Sequence, residues 1–169
     1  VVHPGATDER RRWPPERFAA VGDALAADGL QVVVVGVEAE RDAVRGVVRT
    51  MRAGALALVD ALSLGGLAGL LQRAAVVVAN DSGPLHLAHA VGTPTAGVYL
   101  LGNLVNGAEP FRARHRPFAS FRTACPVCGA AFTAPACEHR MSFVADVEAG
   151  AVLAGARDLL ELARSASVA

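Results

Sequence analysis

Hydrophobic and polar positions change along this chain in blocks that predict strands and helices in turn. Val-rich runs that are apolar on both faces cover residues 31–36, 55–59, 75–79 and 95–99, and a shorter one opens the chain at Val1. Apolar residues at helical spacing cover residues 16–27, 38–52, 64–73 and 84–91. Near-continuous apolar strands that alternate with helices are typical of a parallel sheet covered on both faces. We therefore expect an α/β fold, a Rossmann-like parallel sheet with helices on both faces.

The pattern changes after the fourth of these runs. Residues 101–122 are rich in Gly, Asn and Pro, which predicts a loop-rich stretch. A cysteine-containing loop is expected over residues 125–139. A last helix is expected over residues 146–164, where it would pack on the sheet.

Composition narrows the classes of protein that this chain could be. Its 169 residues fit one domain, since domains span roughly 100–200 residues. Hydrophobic residues make up 53% and charged residues 19%, which excludes a disordered chain. The 16 basic residues, all of them Arg, balance 16 acidic ones, whereas proteins that bind nucleic acid or anionic membranes carry excess positive charge. The chain begins at Val1, inside a predicted strand and without Met, so we expect a piece of a longer protein.

The sequence also carries no pattern of a membrane-spanning or disulfide-bonded protein. Its most apolar stretch, residues 53–79, is interrupted by polar residues such as Asp60 and Arg73, whereas a membrane helix needs about 20 nearly uninterrupted apolar residues. Three Cys cannot all pair within one chain. We expect a cytoplasmic protein with at most peripheral contact at the inner face of the plasma membrane.

Polar side chains gather where the predicted strands end, which is where ligands bind in open parallel α/β sheets. After the opening strand come residues 3–7 (HPGAT) and an arginine run that includes Arg11. Gly5 lets the backbone approach a ligand, Thr7 offers a hydroxyl, and Arg11 offers a fork of donors that matches a phosphate. The alternative is a surface turn with a solvated charge run.

Two carboxylates, Glu38 and Glu40, follow the strand at residues 31–36. An acidic residue at this place in a nucleotide-binding sheet commonly holds ribose hydroxyls. The alternative is a carboxylate in the first turn of a helix, which the helix dipole favours.

The strongest signal is residues 80–88 (NDSGPLHLA), which join a buried strand to a helix. The helix start is formed by Asp81, Ser82, Gly83 and Pro84. Backbone N–H groups at such a start attract an anion, and His86, one turn in, is placed to reach a phosphate. The alternative is a capped helix with a packed His86. The spacing of His86 and His89 is only a weak metal signal.

Three of these segments together resemble one known family, glycosyltransferase family 9, the ADP-heptose:lipopolysaccharide heptosyltransferases. Residues 3–7 with 11–18 (RRWPPERF) resemble its P-G-[AS]-[ST]…K-x-W-P-x-x-x-[FW] segment, with Arg11 in place of Lys. Residues 80–88 resemble its D-[ST]-G-x-x-H-x-A signature, and residues 36–40 its G-x-x-x-E segment. The likeness runs in order through nearly the whole chain.

The resemblance implies the C-terminal half of a GT-B enzyme, in which two Rossmann-like domains face each other across a cleft. Residues 1–169 would be the nucleotide-sugar-binding domain, without the acceptor-side N-terminal domain. The residues implied to bind the donor are Thr7 and Arg11 at the diphosphate, Glu40 at the ribose, and Asp81, Ser82, Gly83 and His86 at the diphosphate and sugar.

The implied reaction is inverting transfer of a sugar, heptose in this family, from an ADP-sugar to a glycan or glycolipid acceptor in lipopolysaccharide biosynthesis. Arg11 and His86 would stabilise the leaving ADP, and no cofactor is required. The general base would belong to the N-terminal domain, so this piece is expected to bind donor without turnover. Two alternatives stay open: a non-catalytic nucleotide-binding module, and another GT-B enzyme such as a UDP-sugar epimerase.

Two further features lie outside these motifs. Cys125 and Cys128 form a C-x-x-C pair, and Cys137 with His139 completes a candidate tetrahedral zinc set. The alternative is a reduced, partly buried cysteine loop.

Residues 111–116 (FRARHR) form a local basic patch, which we interpret as a solvated loop. The alternative is that the patch faces an acidic acceptor or a membrane surface.

Overall fold

Strands and helices alternate through most of this computed structural model, which describes residues 1–106 and 113–166. The strands are β1 (Val2–His3), β2 (Val33–Gly36), β3 (Leu56–Val59), β4 (Val77–Asn80), β5 (Thr95–Leu100) and β6 (His115–Ser120). The helices are α1 (Pro15–Ala27), α2 (Arg41–Thr50), α3 (Leu64–Arg73), α4 (Gly83–Ala90), α5 (Leu101–Asn106) and α6 (Ala149–Ala166). Short 3-10 helices, Glu9–Arg11 and Glu38–Glu40, precede α1 and α2.

The strands form one six-stranded sheet in the order β3-β2-β1-β4-β5-β6, and every pairing is parallel. The central strand β1 pairs with β2 on one side and with β4 on the other, so the order reverses there. The loops that leave neighbouring strands at such a point run to opposite faces and open a crevice at the carboxyl edge. The parallel α/β sheet expected from the sequence is confirmed.

Two apolar cores cover the two faces of the sheet. The larger includes Trp13, Phe18 and Val34, and joins α1, α2 and α6 to the sheet. The smaller, under α3 and α4, includes Leu71 and Tyr99. Across residues 1–106 and 113–166, no helix has both the length and the hydropathy that crossing a bilayer demands.

The predicted elements are found with small shifts at their ends. The helix predicted at residues 64–73 is α3 without change, whereas the one at 38–52 is split into a 3-10 turn and α2. The last helix begins at Ala149 rather than at residue 146. The prediction of a fully buried strand at 55–59 is wrong, because β3 is the edge of the sheet and Leu56 is 49% exposed.

The prediction of a loop over residues 101–122 is also wrong, because α5 and β6 lie there. The sequence of β6 (HRPFAS) shows no apolar run, and Pro117 lacks an amide donor. Both are tolerated because, among the described residues, β6 pairs with β5 alone. Phe111 and Arg112 of the basic patch lie outside the described residues, but His115 is buried in β6, so this part of the patch is no solvated loop.

Candidate functional site

A cleft of about 670 Å³ opens at the carboxyl edge of the central strands. It lies where β1, β2 and β4 end, which is the crevice that the reversed strand order predicts. Its walls include every residue that was predicted from the sequence to bind the donor: Thr7, Arg11, Glu40, Asp81, Ser82, Gly83 and His86. Segments that are far apart in the chain therefore meet at one place.

Asp81 is the polar centre of the cleft and is only 7% exposed. Its Oδ1 lies 3.0 Å from Nε2 of His86, and its Oδ2 accepts a hydrogen bond of 2.6 Å from the Asn103 amide. The Arg11 guanidinium lies 3.7 Å from Oδ2. The buried carboxylate of Asp81 thus holds the side chains of Arg11 and His86 at the cleft. Both remain partly exposed, and 51% of the His86 side chain is accessible.

His3 connects Glu40 with Ser82 in the loop after β4. Its Nε2 lies 3.1 Å from Oε2 of Glu40, and its Nδ1 lies 3.1 Å from Oγ of Ser82. The hydrogen bond with His3 lowers the pKa of Glu40, and the Val37 amide, which donates to the same carboxylate, acts in the same direction. Glu40 is therefore a fixed carboxylate and not only a first-turn residue.

The helix start after β4 faces the cleft without a side-chain cap. Ser82 is the N-cap residue of α4, yet its hydroxyl donates to the Asn80 carbonyl at 3.0 Å and makes no capping bond. A Cβ at Gly83 would meet no atom within 4 Å, so the helix start is open to a ligand. An uncapped helix N-terminus favours an anion.

Asn80 fixes the loop that carries Thr7 and Arg11. Its side chain is fully buried, and its Oδ1 accepts from the Trp13 amide at 2.9 Å while its Nδ2 donates to the Pro4 carbonyl at 2.8 Å. The Trp13 indole in turn donates to the Val147 carbonyl at 2.9 Å. The last residue of β4 therefore holds both ends of the segment after β1.

The other wall of the cleft is apolar. It consists of Val37, Leu58, Ala61, Leu62 and Leu67. Asp60 lies beside it in a left-handed conformation, with φ of 50°, and accepts from the Glu38 amide at 2.9 Å. The cleft thus has an apolar end near β3 and a polar, partly cationic end at α4.

Three polar residues of the cleft were not selected from the sequence as site residues: His3, Asp60 and Asn103. His3 and Asp60 each stand at or directly after the end of a strand, and Asn103 follows β5 by three residues. The rule that ligands bind at the carboxyl ends of parallel strands could have found all three.

The idea of a metal between His86 and His89 finds no support. Nε2 of His86 faces Asp81, whereas Nε2 of His89 lies 2.9 Å from Oγ1 of Thr95 and 3.1 Å from Nδ1 of His115. His115 is buried and lies 2.9 Å from the Tyr99 hydroxyl. Burial lowers the pKa of His115 to about 4, so it is a neutral core residue.

The four side chains of the predicted metal set lie together. Among the described residues, the possible ligand atoms of Cys125, Cys128, Cys137 and His139 all lie within 4.8 Å of one another. None of the three cysteines forms a disulfide. The set is compatible with a structural metal ion, and it lies on the loop between β6 and α6, outside the cleft.

Comparison with known structures agrees with the fold. A glycosyl transferase family 9 protein from Veillonella parvula is 23% identical, with a TM-score of 0.70 over 95% of this chain and 45% of that one. E. coli ADP-heptose lps heptosyltransferase II is 22% identical, with a TM-score of 0.75 over 96% of this chain and 46% of that one. An E. coli heptosyltransferase with ADP-2-deoxy-2-fluoro heptose gives a TM-score of 0.54 at 23% identity, over 69% of this chain and 35% of that one.

The chain spans less than half the length of each of these structures. No curated protein matched it significantly. The family model for glycosyltransferase family 9 (heptosyltransferase) matches residues 1–108, which contain every residue of the cleft. This match covers well over half of the chain, and the chain therefore belongs to glycosyltransferase family 9.

Proposed function

We propose that this chain is the donor-binding half of an inverting glycosyltransferase. It would transfer a sugar, heptose by analogy with its family, from an ADP-sugar to a glycan or glycolipid acceptor, as in lipopolysaccharide biosynthesis. The observation that carries the proposal is that the seven predicted donor-binding residues, which come from three separate segments of the sequence, line one cleft. Its volume of about 670 Å³ suits a nucleotide, since ligand pockets usually measure about 300–1,000 Å³.

The apolar end of the cleft suits the base and the ribose of the donor. The flat faces of a nucleobase would contact apolar side chains such as Val37 and Leu58, where their burial stabilises binding. Glu40 is close to this end and is held as a carboxylate by His3. It would accept hydrogen bonds from the ribose hydroxyls.

The polar end suits the diphosphate. The uncapped start of α4 offers backbone donors, Thr7 a hydroxyl and Arg11 a guanidinium fork. In the reaction, the acceptor oxygen attacks the anomeric carbon from the side opposite to the diphosphate, and the bond to the ADP oxygen breaks with inversion. Arg11 and His86 would then stabilise the negative charge that gathers on the leaving ADP.

The remaining parts of the proposal concern what lies beyond the cleft. An acceptor-side N-terminal domain would supply the general base, so residues 1–169 alone would bind donor without turnover. The transfer step needs no cofactor, because side chains and backbone amides of the protein would stabilise the charge of the diphosphate. The one ion that we propose is a structural zinc bound by Cys125, Cys128, Cys137 and His139. Nucleic acid would not be a partner. The donor and a lipid acceptor would come together in the cytoplasm, at the inner face of the plasma membrane.

The test is titration calorimetry of the chain with ADP. Arg11→Ala is expected to weaken binding by about tenfold or more, since a hydrogen bond to a charged group contributes about 1.5–3 kcal/mol. Asp81→Ala is also expected to weaken binding, because Asp81 fixes the positions of Arg11 and His86. Arg49→Ala, at an exposed arginine in the last turn of α2, is the matched control and is expected to bind like the parent. Unchanged affinity in both cleft variants would overturn the proposal.

Two further measurements separate the alternatives. Equal or tighter binding of UDP would favour a UDP-sugar enzyme such as an epimerase. Transfer activity in the full-length protein, lost with Arg11→Ala, would exclude a non-catalytic nucleotide-binding module. The isolated chain is expected to give no transfer product in the same assay.

A further inference from the structure

The four-residue set of Cys125, Cys128, Cys137 and His139 has the geometry of a tetrahedral metal site. Its ligand atoms all lie within 4.8 Å of one another. Zinc bonds of about 2.3 Å to sulfur and about 2.0 Å to nitrogen place tetrahedral ligand atoms roughly 3.5–3.8 Å apart. Small side-chain rotations would therefore close the set around one ion. Three thiolates and one imidazole are ligands that zinc prefers.

The backbone around the C-x-x-C pair forms a closed turn beside Cys125, whose side chain is buried. The turn is closed by the Gly129 amide, which donates to the Cys125 carbonyl at 2.9 Å, and by the Cys125 amide, which donates to the Ala130 carbonyl at 2.8 Å. Gly129 has a φ of 73°, which a side chain would disfavour.

The part of the chain between these ligands has no regular secondary structure to hold it. Residues 121–148 form no regular helix or strand, and one isolated bridge pairs Ala124 with Ala131. Cys128 and His139 are exposed and Cys137 is half-buried, so only Cys125 of the four ligands is packed in the core. A cross-link would add order to such a segment, and the free energy of metal binding supplies it directly.

The same loop packs against the segment that carries Arg11. The Arg10 guanidinium donates to the Ala134 carbonyl at 2.9 Å, and the Phe143 amide donates to the Arg10 carbonyl at 2.7 Å. The Ser142 hydroxyl donates to the Arg12 carbonyl at 2.7 Å. Both chain neighbours of Arg11 are thus held by residues 134–143 of the loop between β6 and α6, while the Arg11 side chain faces the cleft.

We propose that this four-residue set binds one structural zinc ion and that the ion, by ordering the loop, positions Arg11 for the donor phosphates. Three Zn–S bonds and one Zn–N bond form, the thiol protons pass to solvent, and nothing is oxidised or reduced. The ion lies outside the cleft and touches no substrate. The positioning role rests on the proposed donor binding, whereas the metal site itself does not.

The metal site is tested by elemental analysis of the purified chain and by cobalt substitution. We expect one zinc per chain and, with cobalt, the charge-transfer absorption of thiolate ligands. Cys128→Ser and Cys137→Ser should lose both signals. Glu138→Gln, between two ligands, is the matched control and should keep them. A metal-free chain with three freely reactive thiols, or with a disulfide, would overturn the site.

The positioning role is tested by removing zinc with a chelator from the otherwise unchanged chain. Hydrogen exchange should accelerate in peptides that cover residues 7–12 and should stay unchanged in α2, and the dissociation constant for ADP should rise several-fold. Unchanged exchange at residues 7–12 would overturn the positioning role. If the zinc-loaded chain binds no ADP, the proposed function fails, while the exchange measurement still decides this inference.

Discussion

Nε2 of His86 lies 3.0 Å from Oδ1 of Asp81, a buried carboxylate that also has the Arg11 guanidinium 3.7 Å away. The carboxylate fixes the position of both side chains without covering them. In the proposed reaction, a leaving diphosphate would therefore meet donors that are already oriented. Such preorganised donors need no reorganisation when charge develops, which is why they lower a barrier.

Arg11→Lys separates the effect of charge from that of the guanidinium fork. Lysine keeps the positive charge beside Asp81, and the family pattern has Lys at this place. We expect ADP binding within about fivefold of the parent, against a loss of about tenfold or more for Arg11→Ala. Calorimetry of the two variants side by side checks this. Equal losses in both would mean that the fork, and not the charge, binds the phosphates.

Gly5→Ala should displace Glu40. A Cβ at residue 5 would lie 2.0 Å from Oε1 of Glu40, so the carboxylate must swing away from His3. The lost charge-assisted hydrogen bond costs at most about 1.5–3 kcal/mol of folding stability, and ADP binding should weaken several-fold. Urea unfolding and calorimetry measure the two effects.

Gly69→Ala is the control for that substitution. Gly69 lies within α3, where a new Cβ meets no atom within 4 Å. It should raise the free energy of unfolding by about 0.5–1 kcal/mol and leave ADP binding unchanged. If Gly5→Ala behaved in the same way, Glu40 would have no part in binding.

Asn80→Ala should destabilise the fold more than any change on the cleft surface. It leaves the Trp13 amide and the Pro4 carbonyl without their partners in the core. Each buried group left unpaired costs about 1–3 kcal/mol, so the loss should reach about 2–4 kcal/mol in chemical denaturation. Asn103→Ala, which removes one hydrogen bond to Asp81 in a half-buried position, should cost less than half of that.

The folding stability should fall as the pH drops from about 6.5 to about 4, in part because of His115. Its pKa is about 4 in the fold and 6.5 when exposed, so in this window the unfolded chain binds the proton and the folded chain does not. The slope from this residue is at most about 1.4 kcal/mol per pH unit. The contribution of neutral, buried His115 to the free energy of unfolding is fully present above pH 6.5.

His115→Asn checks this assignment. The variant should be less stable at neutral pH, because the contacts with Thr95 and Tyr99 change. Its stability should decline less steeply than that of the parent between pH 6.5 and 4, as followed by thermal unfolding across the range. Parallel curves for the two proteins would contradict a neutral His115 in the core.

Much of the fold was predictable because its strands are unusually apolar. The runs at residues 31–36 and 75–79 lie in the middle of the sheet, where helices cover both faces, and such strands need no polar positions. The two edge strands of the sheet, β3 and β6, were predicted less well. β6 has Arg116 and Pro117 where an inner strand would have Val, and β3 looks buried in sequence but is half exposed.

The candidate site was predictable where a side chain follows a strand. Thr7, Glu40 and Asp81 lie at one edge because parallel strands bring their carboxyl ends together. The contacts between them were not predictable, since the bridge of His3 from Glu40 to Ser82 depends on side-chain directions in three dimensions. The same is true of Asn80, whose role comes from two partners that only the fold brings near.

The position of β1 has a consequence for how this protein folds. This two-residue strand pairs through Val2 with Val34 on one side and with Val78 on the other. Such distant parallel pairings form slowly, because closing long loops comes before any gain from contact. The cleft forms only when β1 has paired with both of its neighbours. A nucleotide that binds in the cleft would therefore stabilise the folded chain against states in which β1 is unpaired, by about 2.7 kcal/mol at a ligand concentration of 100 times its dissociation constant.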